Sequence, residues 1–256
     1  EGLGQTFWNN LTITGKIEGR GRMLAQIPFP NLQGIIDEDI SSMAIGHLNK
    51  GLLKIHGLDE GGIPAEGIGG HDVMWFALRD LAFGADAYPD IEPPGSIARE
   101  TPDREMPQLP PEFENMLRFI MNLLLIEFRA EIGFANSQHL LRNPGLFAGR
   151  RQQAMAAAEI VERIRTDERI HVYSLQIYLG ELRHIHFKAI DGGRVRGSDV
   201  IDPNWSTLVR WATVDQPALL AKGQYNDFKE RILQAPDGER ILRDFDALAD
   251  TPRVAA

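Results

Sequence analysis

Residues 164–175 read Ile164-Arg165-Thr166-Asp167-Glu168-Arg169-Ile170-His171-Val172-Tyr173-Ser174-Leu175 and lie inside a long stretch of helical periodicity. Glu168 and His171 are three residues apart, about 300° of helix rotation, so their side chains fall within about 60° of each other on one face. A carboxylate and an imidazole so placed can hold one metal ion. On its own the pair is a weak signal, because helical surfaces carry Glu and His freely. Its meaning depends on what the rest of the chain brings to that face.

Composition narrows the choice. A chain of 256 residues with 43% hydrophobic and 25% charged residues can bury one large core. There are no cysteines, which excludes disulfides, iron–sulfur clusters, thiolate zinc sites and cysteine nucleophiles. Any metal is therefore held by His, Asp or Glu, a donor set suited to iron, manganese or zinc. The net charge of −9 speaks against nucleic acid or anionic lipid as a partner and favours a small molecule or a protein. No apolar run has membrane length, and no secretory leader is visible, so a cytoplasmic location is expected. The chain begins without Met, which leaves a removed leader open. Ile17-Glu18-Gly19-Arg20 resembles a protease recognition site, but its natural-looking flanks mark it as native.

Outward from the 164–175 stretch, the pattern predicts helices. Residues 1–33 read as an N-terminal arm, with a β-flavoured run at 11–14 and an extended Ile27-Pro28-Phe29-Pro30. Apolar residues at three- and four-residue spacing predict a first helix over 34–56, a second over 70–84, a third over 112–142 and a fourth over 149–188. Seven prolines between 85 and 111 predict a surface connection without regular helix. Asp191-Gly192-Gly193 predicts a hairpin turn, and helical segments follow to residue 256. The expected organisation is an arm (1–33), a helical bundle (34–190) and a hairpin with helices packed on it (191–256). No phosphate-binding Gly-Lys-Ser/Thr follows the glycines at 61–70, and no Gly-x-Ser-x-Gly elbow is present.

In Leu123–Phe134, Glu127 and Glu131 sit one turn apart in an otherwise apolar stretch, where an unpaired acid is costly. The alternative is that one faces solvent and the other pairs with Arg129 or Arg165. Glu181, His184 and His186 form a second acid–histidine group, placed about 160–220° round the helix from Glu168, and read as a separate polar cluster. Tyr178 lies two turns beyond His171 on the same face. It can bond into the site or relay an electron, or simply serve as an amphipathic core residue.

Phe128-Arg129-Ala130-Glu131, followed by Arg165-Thr166-Asp167-Glu168-Arg169-Ile170-His171, resembles the second half of the ferritin-like diiron-carboxylate superfamily. The likeness is to the small subunit of ribonucleotide reductase. Gly70-His71-Asp72-Val73-Met74-Trp75 is similar to the end of that family's second helix. The resemblance implies a mainly α, ferritin-like four-helix bundle with metal ligands at Glu131, Glu168, His171 and His71, and Glu127, Glu38 and Glu66 are further candidate ligands. A family Glu should stand three residues before the His of the second helix. Ile68 stands there instead, and Glu66 is the nearest acid. Glu38 is the carboxylate that the pattern calls for on the first helix; His47 and His56 are read as ordinary histidines. Trp75 occupies the place of the radical-bearing Tyr. Asp167 and Asp72 are candidates to bond the outer nitrogens of the two histidines. The implied function is an O2-activating dimetal oxidoreductase, with two iron ions per chain or manganese in their place, acting on a small organic molecule. An electron-donor protein and a homodimer are compatible partners. The alternative, favoured by Ile68, is a metal-free helical binding or scaffold protein.

Overall fold

The computed structural model describes residues 3–234 and 236–249; residues 1–2 of the arm and the tail from 250 lie outside the described residues. The chain is mainly helical, with one two-stranded sheet among the described residues. It divides into two compact units, Glu1–Trp205 and Ser206–Ala256. The division therefore falls at Trp205, not at residue 190, because the hairpin belongs with the first unit. No helix among the described residues is long and apolar enough to cross a membrane.

The N-terminal segment is helix α1, Leu3–Gly21, and not an extended arm. Its buried residues Trp8, Leu11, Thr12, Gly15 and Glu18 recur at helical spacing, but two of them are polar and one has no side chain, so the period is hidden. Gly15 explains the disguise. A Cβ there would meet the Trp75 Cβ and the Phe76 ring at 3.0 Å, so its absence lets α1 lie close against α3, His71–Phe83.

The expected helix over 34–56 is another correction. Residues 32–50 form only short 3-10 turns, and helix α2 runs Leu52–Gly61. Ile36, Ile40, Ile45 and Leu48 are buried as the periodicity implied. Their backbone, however, is held by tertiary partners: Ile36 bridges to Phe187, Asp37 N–H donates to the His186 carbonyl at 3.1 Å, and the Gln33 amide binds the Glu38 carbonyl at 2.8 Å. Glu181 accepts the backbone N–H groups of Ala44 and Ile45 at 3.0 and 2.8 Å. That acid thus caps the second turn and takes no part in a metal group.

Helices α4, Pro111–Arg142, and α5, Arg151–His184, form as the sequence predicts. Proline at the first position and acids in the first turn open α4, and Asn143-Pro144 follows its end. α5 stops four residues short of 188, since His186–Lys188 (β1) pairs antiparallel with Arg194–Arg196 (β2). The main helix pairings are α4 with α5, α3 with α5 and α1 with α3. Segment 85–110 has no helix and is tied down: Lys16 bonds Asp90 and Glu92, and buried Glu114 accepts the backbone N–H groups of Glu105 and Met106. Helix α6, Gly197–Arg210, spans the division between the units. Within the second unit, α7, Gln216–Leu233, is joined to α8, Gly238–Ala249, by Tyr225, whose ring stacks on Phe245 and whose hydroxyl donates to Asp246 at 3.0 Å.

Candidate metal centre

Four helices and the start of a fifth bring four carboxylates and three imidazoles to one buried place. α1 supplies Glu18, α2 supplies His56 and Glu60, α3 supplies His71, α4 supplies Glu127, and α5 supplies Glu168 and His171. All seven are buried, Glu168 at 1% exposure. They fall into two groups, His56–Glu60–Glu127–His171 and Glu18–Glu60–His71–Glu168, and within each the ligating atoms lie within 4.8 Å of one another. Glu60 belongs to both. Glu168 also reaches both ways, with Oε1 3.0 Å from His71 Nδ1 and Oε2 3.2 Å from His171 Nδ1.

The sequence-predicted residues divide accordingly. Glu168, His171, His71 and Glu127 are brought together. Glu131 is not: Arg165 grips it in a forked ion pair, with contacts of 2.5 and 3.1 Å. One turn of α4 separates Glu127, which faces the cluster, from Glu131, which faces the guanidinium. Glu38 bonds His186 Nδ1 at 2.7 Å and belongs to neither group. Glu66 lies exposed on a short 3-10 turn and is likewise outside both. Trp75 is wholly buried, with its ring centroid 4.7 Å from that of Phe134, as part of the apolar core. Tyr178 is buried and lines a small cavity of about 40 Å³ with His56 and His171; its hydroxyl has no hydrogen-bond partner among the described residues. Burial first, then the charge of Glu181, push the phenol up to about 12, so it stays neutral.

Glu18, His56 and Glu60 were not singled out by the sequence pattern. Glu60 supplies the acid that Ile68 seemed to deny. Residues 62–70 form an excursion between the end of α2 and the start of α3, closed by paired backbone bonds between Ile63 and Ile68 of 2.8 and 3.2 Å. The excursion loops away, and Glu60 and His71 meet across its neck, 3.9 Å apart. The available signal was His56-x-x-x-Glu60, one turn apart on α2, a spacing that puts both on one face.

The outer nitrogen of His171 bonds an acid as that of a metal-bound imidazole does, and an acid stands near the outer nitrogen of His71 without a hydrogen bond of good geometry. His71 Nε2 is 3.5 Å from Asp167, and His171 Nε2 is 3.3 Å from Asp59. Asp72 instead pairs with Arg22 at 3.0 Å and accepts the Val73 N–H. His56 and His171 stack, with ring centroids 3.8 Å apart and planes 11° apart.

Electrostatics sort the metal-free groups by charge. Burial, with repulsion from Glu60, raises Glu18 well above its ordinary range, and burial with repulsion from Glu168 does the same to Glu127. Against burial, contacts with His171 and His71 hold Glu168 low, and contacts with His171 and His56 hold Glu60 low. Burial opposes protonation of His71 and His171, but Glu168 in each case outweighs it, helped by Glu18 and Glu60, and lifts them to about 11 and about 10. Burial keeps His56 low. The raised imidazoles and raised carboxyls stabilise the fold at low pH and lose that contribution as pH rises through their folded values. The lowered carboxylates act in the opposite sense below the ordinary 4.5. The metal-free chain is therefore expected to be most stable between the ordinary carboxylate and imidazole values, 4.5 and 6.5, and to lose stability steadily towards pH 10–11. Urea midpoints of metal-depleted protein across pH check this; a flat profile from 6 to 10 contradicts it.

Among the described residues, Glu18 Oε2, Glu168 Oε1, His56 Nε2 and both ring nitrogens of His71 are buried without a hydrogen-bond partner of good geometry. Buried polar atoms in natural proteins rarely stay unpaired, and here they converge. The donor set, all oxygen and imidazole nitrogen, suits a divalent metal such as iron, manganese or zinc, and each of the two groups could hold an ion.

Comparisons with protein-family models, with curated proteins and with solved structures find no match for this chain. Its function has to be argued from the cluster.

Proposed function

We propose that the chain is a ferritin-like dimetal oxidoreductase, with iron the favoured metal, that uses O2 to oxidise a small organic molecule. The observation that carries this reading is the overlap of the two ligand groups at Glu60, with Glu168 reaching a histidine of each. Glu18 and His71 would hold one ion, and Glu127, His171 and His56 the other, with Glu60 and Glu168 shared between them. The four inward-facing carboxylates and the Glu168-x-x-His171 pair are similar to the ligand set of four-helix carboxylate metalloproteins, from which this site departs by a fifth helix, a third imidazole and the absence of a second Glu-x-x-His. A pair of ferrous ions, when bound, supplies electrons to O2, and a donor protein would restore them.

What the protein residues do follows from their positions. Asp59 holds the outer nitrogen of His171 so that its inner nitrogen faces the cluster, and Asp167 stands 3.5 Å from the outer nitrogen of His71, placed to do the same. The burial of all seven side chains would limit the access of water to the site. Arg165 draws Glu131 out of the site and so fixes which acid of α4 serves.

Ile68 had favoured a metal-free scaffold, and Glu60 removes that reason. Four buried carboxylates with only imidazoles for counterions are also costly to keep for packing alone. Anaerobic loading with ferrous iron, desalting and plasma mass spectrometry should find about two ions per chain. No retained metal would return the scaffold reading.

A further inference from the structure

A cavity of about 420 Å³ opens beside the cluster between α1 and α4. Glu18, His56, Glu60 and Glu127, drawn from both ligand groups, line one side of it. The rest of its wall is largely apolar: Ile17 of α1, Leu24, and Phe119, Leu123 and Ile126 of α4. Gly95–Ala98 of the proline-rich segment complete it, held to α1 by Arg20, which donates to the Pro94 carbonyl at 2.7 Å, and to α4 by the Arg99 N–H, which donates to Asn122 at 2.9 Å.

The polar side chains of this wall outside the cluster are already engaged. Asn122 accepts that bond and donates to the Arg118 carbonyl at 3.0 Å, Ser96 accepts from the Ala98 N–H, and Arg20 is bound to Pro94 at the exposed rim. A ligand inside thus meets hydrocarbon on the wall and, at the cluster, carboxylates and imidazole. Arg20 offers a cation only at the exposed rim, so a charged group of either sign placed deeper against the hydrocarbon wall would lie without a counterion, a costly position. For scale, an apolar cavity of about 150 Å³ holds benzene, so this one takes about a dozen or more heavy atoms.

We infer that the cavity between α1, α4 and the Gly95–Ala98 strap binds an uncharged, largely apolar organic substrate, presented to the Glu18–Glu127 side of the cluster. This rests on the dimetal reading for the word substrate; the binding itself does not need it. The reacting molecule is a hydrocarbon-like or aromatic compound, and the strap segment is the part of the wall that sets its size.

The test uses the full chain, loaded anaerobically with ferrous iron, and three probes on one skeleton: naphthalene, naphthalene-2-sulfonate and 2-naphthylmethylammonium. Equilibrium dialysis should show about one naphthalene per chain, with both ions binding at least about tenfold more weakly, a gap of about 1.4 kcal/mol. Leu123→Trp, which fills the cavity from α4, should abolish naphthalene binding and leave the metal content of the parent. Should that variant fail to fold, Ala98→Trp fills the same space from the strap and must give the same result. Naphthalene binding that survives the filling variant, absence of naphthalene binding, or a preference for either ion overturns the inference. Metal is measured on the same samples, so a chain that binds naphthalene but no iron refutes the dimetal reading alone.

Discussion

Glu168→Ala is expected to take the chain from about two bound ions to almost none, a loss as large as any in the site. Glu18, His56, His71, Glu127 and His171 each serve one group, whereas Glu60 belongs to both and Glu168 contacts His71 through one oxygen and His171 through the other. Its removal also leaves two imidazoles, lifted to about 11 and about 10 chiefly by that carboxylate against burial, without their shared partner. Breaking a buried charge pair on one side costs about 3–5 kcal/mol, so the metal-free variant should unfold at much lower urea than the parent. Glu131→Ala is the control, since its carboxylate is held by Arg165 outside both groups: that variant should keep the full metal content. Plasma mass spectrometry on both, side by side, decides the matter. Two ions in Glu168→Ala, or a loss in Glu131→Ala equal to it, would refute the ligand assignment.

Gly70→Ala should damage the site from outside it. A Cβ at residue 70 would lie 2.5 Å from the Gly62 nitrogen, 2.6 Å from the Asp59 carbonyl oxygen and 2.7 Å from the Glu60 carbonyl carbon, all backbone atoms that cannot rotate away. The end of α2 must then move from the start of α3, separating Glu60 from His71. Overpacking of this kind costs about 1–3 kcal/mol. The expected result is a lower melting temperature and a metal content that falls from about two towards one, as the Glu18–His71 half is lost first. Gly67→Ala provides the comparison. It stands at φ +71° with open space around a Cβ, so only local backbone strain of about 1 kcal/mol is expected, with metal binding intact. Equal metal loss in the two variants would show that the neck of the excursion does not hold the site together.

The two long helices were legible because α4 and α5 carry dense apolar periods and clear ends, and with them came Glu127, Glu168 and His171. Trp75 and Tyr178 lay on the expected helices, but the structure gives the first a core role and leaves the second beside the cluster without a bond. α1 was hidden because its contact face uses glycine and polar residues where a pattern looks for leucine; Glu18 was lost with it. The choice of Glu131 over Glu127 could not be corrected from spacing, since both fit one face and only the tertiary position of Arg165 separates them. Glu38 was favoured for a helix that does not form, because Ile36 and its neighbours satisfy their backbone against the hairpin. Glu66 failed for a simpler reason. Distance along the chain was read as distance in space, and the 62–70 excursion breaks that equivalence.

The same excursion has a practical meaning. Its tip, residues 64–69, is exposed, while the paired backbone bonds between Ile63 and Ile68 close its neck. Ligand geometry is thereby uncoupled from loop length, much as a splice joins two ends whatever is cut out between them. The tip is a grafting point at which a purification tag, a fluorophore or a spin label can sit close to the cluster without entering it. A linear search for Glu-x-x-His also finds only the α5 half of such a centre, and the partner pair becomes visible only when residues are matched by position in space.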